Sequence, residues 1–192
     1  MLKSGTWLGL FLILPLVLTM VPEARAGFHE LSDPGRLGLA LTLGHSYDPE
    51  PTFGFAQLTG VAQYDYDKVW DHPAPEPLRF KLETSLGFAS YLGHRRLFSS
   101  VNMLAQYYLA PESSRFRPYV EAGIGLIYSD FQVEGQGLRI NFNPQFGIGC
   151  DYRSQAGPFY FVNFRPHHLS NGELYHDNRG INSVLVQIGR YF

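Results

Sequence analysis

The sequence is almost without cysteine: Cys150 stands alone in 192 residues, so no intramolecular disulfide holds the fold. Charge is scarce as well, with only 17% Asp, Glu, Lys and Arg, less than a soluble secreted domain normally carries. The formal net charge is −2 and no basic run occurs, which argues against nucleic acid as a partner. The chain also lacks any apolar stretch long enough for a membrane-spanning helix, which needs about 20 residues. Its one long apolar run, Trp7 to Met20, follows Lys3 and precedes Ala24-Arg25-Ala26, with small residues at the two positions a signal peptidase reads. Residues 1–26 therefore read as a secretory signal peptide, with the mature chain expected to start at Gly27 and to form one domain over 27–192. No cysteine follows the run, which excludes a lipoprotein anchor. Internal repeats, low-complexity segments and helical periodicity are missing, yet the chain is too hydrophobic and too evenly patterned to be disordered.

What remains is alternation. Phe80, Leu82, Leu86 and Phe88 fall on one face, against Arg79, Lys81, Glu83 and Ser85 on the other. Leu138, Ile140, Phe142, Phe146 and Ile148 likewise oppose Arg139, Asn141, Asn143, Gln145 and Asp151, and Leu37, Leu39, Leu41 and Leu43 oppose Gly38, Ala40, Thr42 and Gly44. This period of two predicts eight strands, at 36–46, 53–70, 78–92, 96–110, 117–129, 138–152, 157–170 and 181–192. Breakers separate them: Asp48-Pro49-Glu50-Pro51, His72-Pro73-Ala74-Pro75, Pro111-Glu112-Ser113-Ser114 and Gln155-Ala156-Gly157.

A soluble sandwich would bury the apolar face, whereas a membrane barrel turns it to lipid. Three features favour the barrel. The strands reach the roughly 9–11 residues that cross a bilayer at a tilt. An even number of antiparallel strands closes without edges. The chain ends in Phe192 behind the alternating Val184, Val186 and Ile188, like the C-terminal signal of bacterial outer-membrane proteins.

The fold expected is thus all-β, an eight-stranded antiparallel up-and-down transmembrane β-barrel in a Gram-negative outer membrane. Aromatic residues near strand ends (Tyr64, Tyr66 and Trp70; Tyr107 and Tyr108; Tyr119; Tyr191 and Phe192) are read as interfacial girdles. A barrel of this size is filled by its own side chains, so Asp65, Asp67, Lys81, Glu83, Glu121 and Arg139 are expected to form an interior polar network rather than a pore. Pro144 removes a ladder donor inside the sixth strand, where a bulge or kink is expected.

The candidate chemistry lies at the end of the seventh strand. With both termini in the periplasm, Gly157–Ser170 runs outward. Tyr160, Val162 and Phe164 share a parity, and continuing it puts His168 and Ser170 on the lipid-facing side at outer-leaflet depth. Polar groups there are expensive without a function. At i and i+2 both side chains leave the strand on one face, and an imidazole beside a hydroxyl is the minimum for an activated serine nucleophile. Asn163, Arg165 and His167 take the inward parity. His45-Ser46 ends another outward strand, but adjacent residues face opposite sides. His167, His168, His176 and Asp177 match no standard metal-site spacing.

The stretch His168-Leu169-Ser170-Asn171-Gly172, followed by Asn178-Arg179-Gly180-Ile181-Asn182-Ser183 and a last strand ending in Phe192, resembles the PagL-type lipid A 3-O-deacylases. The resemblance covers the mature chain loosely and its C-terminal part closely. It implies Ser170 as nucleophile, His168 as general base and Asn171 in the oxyanion hole, with backbone N–H groups around Gly172 contributing. It also implies lipid A as substrate, hydrolysis of the acyl ester at its position 3, and no cofactor.

One departure stands out: where the family pattern carries a Glu that orients the histidine, this chain has Asn182. An Asn can orient an imidazole but offers it no charge. Glu173 and Asp177 in the intervening loop are alternative acids. Three readings stay open on sequence: a lipid A ester hydrolase, a non-enzymatic barrel with a structural or adhesive role, and an acyltransferase between lipids.

Overall fold

The computed structural model describes residues 34–192 apart from 71 and 156; the expected signal peptide, residues 1–26, and the expected mature start at Gly27 lie outside the described residues. Among the described residues the strands are β1 (Arg36–Asp48), β2 (Gly54–Asp65), β3 (Leu78–Tyr91), β4 (His94–Tyr108), β5 (Phe116–Ser129), β6 (Ile140–Phe142), β7 (Gln145–Arg153), β8 (Phe159–Leu169) and β9 (Ile181–Tyr191), with one short helix, α1 (Tyr66–Trp70). Strands adjacent in sequence pair antiparallel except β6 and β7, which both lie along β5, and β1 pairs with β9. β6 and β7 are two parts of one barrel strand, so the sheet is a closed eight-stranded up-and-down barrel with no free edge.

Side-chain parity explains what faces where. Leu37, Leu39, Leu41 and Leu43 are 48% to 54% exposed on the outside, and Leu58, Leu86, Phe88, Ile124, Phe146, Ile148 and Ile188 continue the apolar band around the barrel. An apolar surface of that extent is not tolerated in water and suits lipid. The inside is polar and closed. At its centre the Arg165 guanidinium donates to both carboxylate oxygens of Glu83 (2.9 and 3.1 Å), to Gln145 Oε1 (2.8 Å) and to Gln187 Oε1 (3.0 Å). Its Nε lies 3.2 Å from Glu121, and Lys81 bridges Glu83 and Glu121. Two cations thus face two carboxylates, each held by several partners, as burial in low dielectric demands. The space left among these side chains is about 10 Å³, room for at most a single water, so this interior is a packed plug rather than a channel.

Several expectations need correction. The predicted strand 53–70 ends at Asp65, and Tyr66–Trp70 is helix α1. The helix folds against the outside of the barrel, packing Val69 with Tyr64 and Phe80 and setting Trp70 edge-on to Phe80 at 5.6 Å. Asp67 is therefore on an exposed helix and Arg139 on an exposed turn, neither in the interior network; Asp65 pairs with Lys68 and Arg79 at the strand end. Tyr108, Tyr119 and Tyr191 are buried inside rather than girdling the outside, and Tyr108 donates to Asp151 Oδ2 at 2.5 Å.

At Pro144 the ladder is interrupted without a slip. Gly123 pairs with Gln145 and Leu126 with Phe142, the same register on both sides of the gap.

The barrel end away from the termini is sealed by an aromatic cluster of Phe53, Phe55, Tyr91, Phe98 and Phe131, into which Leu169 and Ile181 also pack. Phe53 and Phe131 meet edge-on at 5.0 Å, and Tyr91 stacks on Phe131 at 4.6 Å. Leu169 and Ile181 anchor the two sides of the β8–β9 hairpin on this plug, which gives the hairpin a rigid base.

Candidate active site

β8 presents His168 and, one residue beyond its end, Ser170 on the outer face, both half-buried. Ser170 is fixed by a bridge to Phe142: its N–H donates to Phe142 O (3.2 Å) and its carbonyl accepts from Phe142 N–H (2.8 Å). His168 donates its backbone N–H to Pro144 O (3.0 Å), between β6 and β7, so this N–H faces away from β9. On its other side it stands opposite Asn182 of β9, in a pair without ladder bonds, where side chains approach most closely. The contact follows: His168 Nδ1 lies 2.6 Å from Asn182 Oδ1. A carboxamide oxygen only accepts, so Nδ1 donates this bond, and in the neutral tautomer that fits it Nε2 has the lone pair.

The row continues onto β1. Ser46 pairs with Ser183 and Asp48 with Asn182, so Tyr47 is an extra residue in a β-bulge. The bulge sets Asp48 beside Asn182, whose Nδ2 donates to Asp48 Oδ2 at 2.9 Å, while Arg179 donates to Asp48 Oδ1 at 2.8 Å. His168, Asn182 and Asp48 thus form one cross-strand row on the outer face. Asp48 does not stand out in the sequence, where Asp48-Pro49-Glu50-Pro51 reads only as a turn. The usable signal is topological, because closing the barrel makes the first strand a neighbour of the last.

The structure brings His168 and Asn182 together, and sets Ser170 beside them without a hydrogen bond from its hydroxyl to His168 among the described residues. Glu173 and Asp177 are exposed; the Asp177 carboxylate is 3.5 Å from His176. Asn171 lies at the turn that follows Ser170. Its side chain is 1% exposed and its Nδ2 donates to Asp177 O (2.7 Å) and Gln136 O (3.3 Å), which uses both amide hydrogens. The Asn171 N–H donates to Asn178 Oδ1 at 2.8 Å.

Gly172 and Glu173, at φ +62° and +65°, form the centre of a tight turn closed by Leu174 N–H to Asn171 O at 3.2 Å. Glycine suits position 172, since its left-handed φ strains no side chain and a Cβ there would stand 3.0 Å from the Phe142 ring, which would have to give by a few tenths of an ångström. His167, on the opposite parity, is buried inside and bonds Asn143 Oδ1 at 3.0 Å.

A groove of about 350 Å³ opens beside this row on the outer wall, lined by Tyr47, Pro144, Phe146, Pro166, His168 and Asn182. It shares Ala122, Phe146 and Pro166 with a second, apolar groove of about 570 Å³ that continues past Val120, Ile148 and Phe164.

Apolar outside, plugged inside and closed on itself, the chain has the architecture of an outer-membrane β-barrel. Several solved structures match it in fold. The crystal structure of Neisserial surface protein A (NspA) aligns with a TM-score of 0.60 at 12% identity, covering 81% of this chain and 94% of that one. The crystal structure of the outer membrane enzyme PagL aligns with a TM-score of 0.55 at 22% identity, covering 79% of this chain and 97% of that one. No curated protein matches the sequence. The family model for lipid A 3-O-deacylase (PagL) matches residues 56–190. The chain belongs to this family of lipid A deacylases. That membership and the barrel architecture together imply the outer membrane of a Gram-negative bacterium.

Proposed function

We propose that this barrel hydrolyses the 3-O-acyl ester of lipid A from the outer leaflet, as a serine esterase with Ser170 as nucleophile and His168 as base. The observation that carries the reading is the 2.6 Å contact between His168 Nδ1 and Asn182 Oδ1, two strand positions away from an outward serine. It leaves Nε2 free to take the Ser170 proton. Hydrogen bonds between nucleophile and base are often long without substrate and tighten when it binds.

In the first half-reaction Ser170 Oγ attacks the ester carbonyl and its proton passes to His168 Nε2. The tetrahedral oxyanion then collapses, the C–O bond to the sugar breaks, and His168 returns the proton to the leaving hydroxyl. Water, deprotonated by the same imidazole, cleaves the acyl-enzyme and releases a fatty acid. The Gly172 N–H, on the turn directly after the nucleophile, is the proposed oxyanion donor, and Asn171 holds that turn in place. The groove beside His168, with the apolar groove that continues from it, suits an acyl chain, and the site's position on the lipid-facing wall suits a substrate that never leaves the membrane.

The test is mass spectrometry of lipid A from cells carrying the wild-type protein, Ser170→Ala or His168→Ala, with barrel folding followed by heat-modifiable gel mobility. Loss of one 3-hydroxyacyl chain with wild type, and with neither variant, is expected. Unchanged lipid A in the presence of folded wild type would make this a non-enzymatic barrel, and an added chain would make it an acyltransferase.

A further inference from the structure

We propose that Asp48 is a positioning residue for this site, acting on His168 through the side chain of Asn182. The inference rests on the serine esterase reading above. It starts from a weakness in the Asn182 side chain: a carboxamide has two faces of nearly equal shape, an oxygen that accepts and an NH2 that donates. Turned one way, Asn182 accepts the His168 Nδ1 proton and leaves Nε2 basic. Turned the other way, its NH2 would donate to Nδ1, and the proton would move to Nε2, which could then accept nothing from Ser170. Asn182 alone has no reason to choose.

Asp48 supplies the reason. Its carboxylate oxygens are acceptors only, and Asn182 Nδ2 donates to one of them at 2.9 Å. That bond holds the NH2 towards β1 and therefore the oxygen towards His168, where the contact is 2.6 Å. Arg179 fixes the other Asp48 oxygen at 2.8 Å. The β-bulge at Tyr47 is what sets Asp48 opposite Asn182. The chain thus has a negative charge in the row after all, one residue further from the imidazole and supplied by a different strand. Its field, relayed through the amide, also favours the imidazolium formed when Ser170 loses its proton.

The test compares Asp48→Ala and Asp48→Asn in the full-length, membrane-folded protein, each alone and with Asn182→Glu. Asp48→Ala is expected to lower kcat about 10-fold to 100-fold, within the range that a correctly set general base contributes, while KM changes less than about 2-fold. In Asp48→Asn the Arg179 donor holds the amide oxygen, so the NH2 faces Asn182 and favours the wrong orientation; its loss should be at least as large. Adding Asn182→Glu to Asp48→Ala should restore kcat, because a carboxylate accepts from Nδ1 in either orientation and needs no Asp48. A merely structural role for Asp48 in the loop would not be rescued in this way, so an unrescued loss overturns the proposal. So does an undiminished kcat in Asp48→Ala while Ser170→Ala is dead, an outcome that leaves the esterase reading intact. Should Asp48→Ala fail to fold, Asp48→Asn with and without Asn182→Glu decides between the same two outcomes. Full activity in Ser170→Ala would instead remove the esterase mechanism beneath it.

Discussion

The backbone of Gly180 lies against the imidazole of His168: a Cβ at position 180 would stand 2.4 Å from Cε1 and 2.9 Å from Nε2. No side chain fits there unless the ring moves, and the ring is the base in the proposed mechanism. Gly180→Ala is therefore expected to push His168 away from Asn182 or Ser170. A displacement on the order of 1 Å can cost roughly 100-fold in rate. Deacylation rates on lipid A in detergent micelles, alongside heat-modifiable mobility, check this. A folded Gly180→Ala with the wild-type rate would mean that the imidazole works from another position.

The interior ion cluster makes a separate prediction about stability. Arg165→Met leaves Glu83 and Glu121 with Lys81 as their one paired cation among the described residues, and stranding a buried charge typically costs about 3–5 kcal/mol. The urea midpoint of the vesicle-folded barrel should fall accordingly. Combining Arg165→Met with Glu83→Gln removes one charge of each sign and should recover part of the loss. Equal midpoints for wild type and Arg165→Met would show that the cluster contributes nothing to the fold.

Strand parity predicts which positions meet lipid. In a Cys150→Ala background, cysteines at Leu86, Phe88 and Ile148 should react with membrane-soluble maleimides, while cysteines at Ser85, Ser100 and Asn163 should resist until the barrel is unfolded. The opposite pattern would turn the barrel inside out and remove the membrane placement.

These positions also mark how far the sequence can be read. Period-two alternation is sufficient for the eight barrel strands and for the outward leucines, because each is a local consequence of the pleat. It fails where strands end. Tyr66, Val69 and Trp70 look like strand residues but belong to α1, and extrapolated parity carries Asp67 and Arg139 into an interior they do not reach. Tyr108, Tyr119 and Tyr191 read as a girdle because aromatic clusters do not by themselves reveal their parity.

In the site, the meeting of His168 with Asn182 is legible from one hairpin. Asp48 is not, since its contact spans the closure between the first and last strands. The role of Asn171 depends on the Gln136 and Asp177 carbonyls, which belong to two separate loops that no pattern connects in advance.

The last prediction separates Asn182 from the two loop acids. The Asn182 oxygen is the acceptor for His168 Nδ1, whereas Glu173 is exposed and the Asp177 carboxylate pairs with His176. Removing the amide in Asn182→Ala leaves the imidazole free to rotate and to take either tautomer, so kcat should fall about 10-fold or more. Glu173→Ala and Asp177→Ala should each stay within about 2-fold of wild type, as exposed surface changes do when no reacting group is touched. The Asp177 contact with Asn171 runs through its backbone carbonyl and survives that substitution. Initial rates of 3-hydroxyacyl release, measured for the three variants at one lipid A concentration well above KM and one well below, establish the order. If Asn182→Ala keeps the wild-type rate while Glu173→Ala or Asp177→Ala loses it, the group that orients His168 moves in from the loop on substrate binding. The cross-strand row of His168, Asn182 and Asp48 would then be scaffolding.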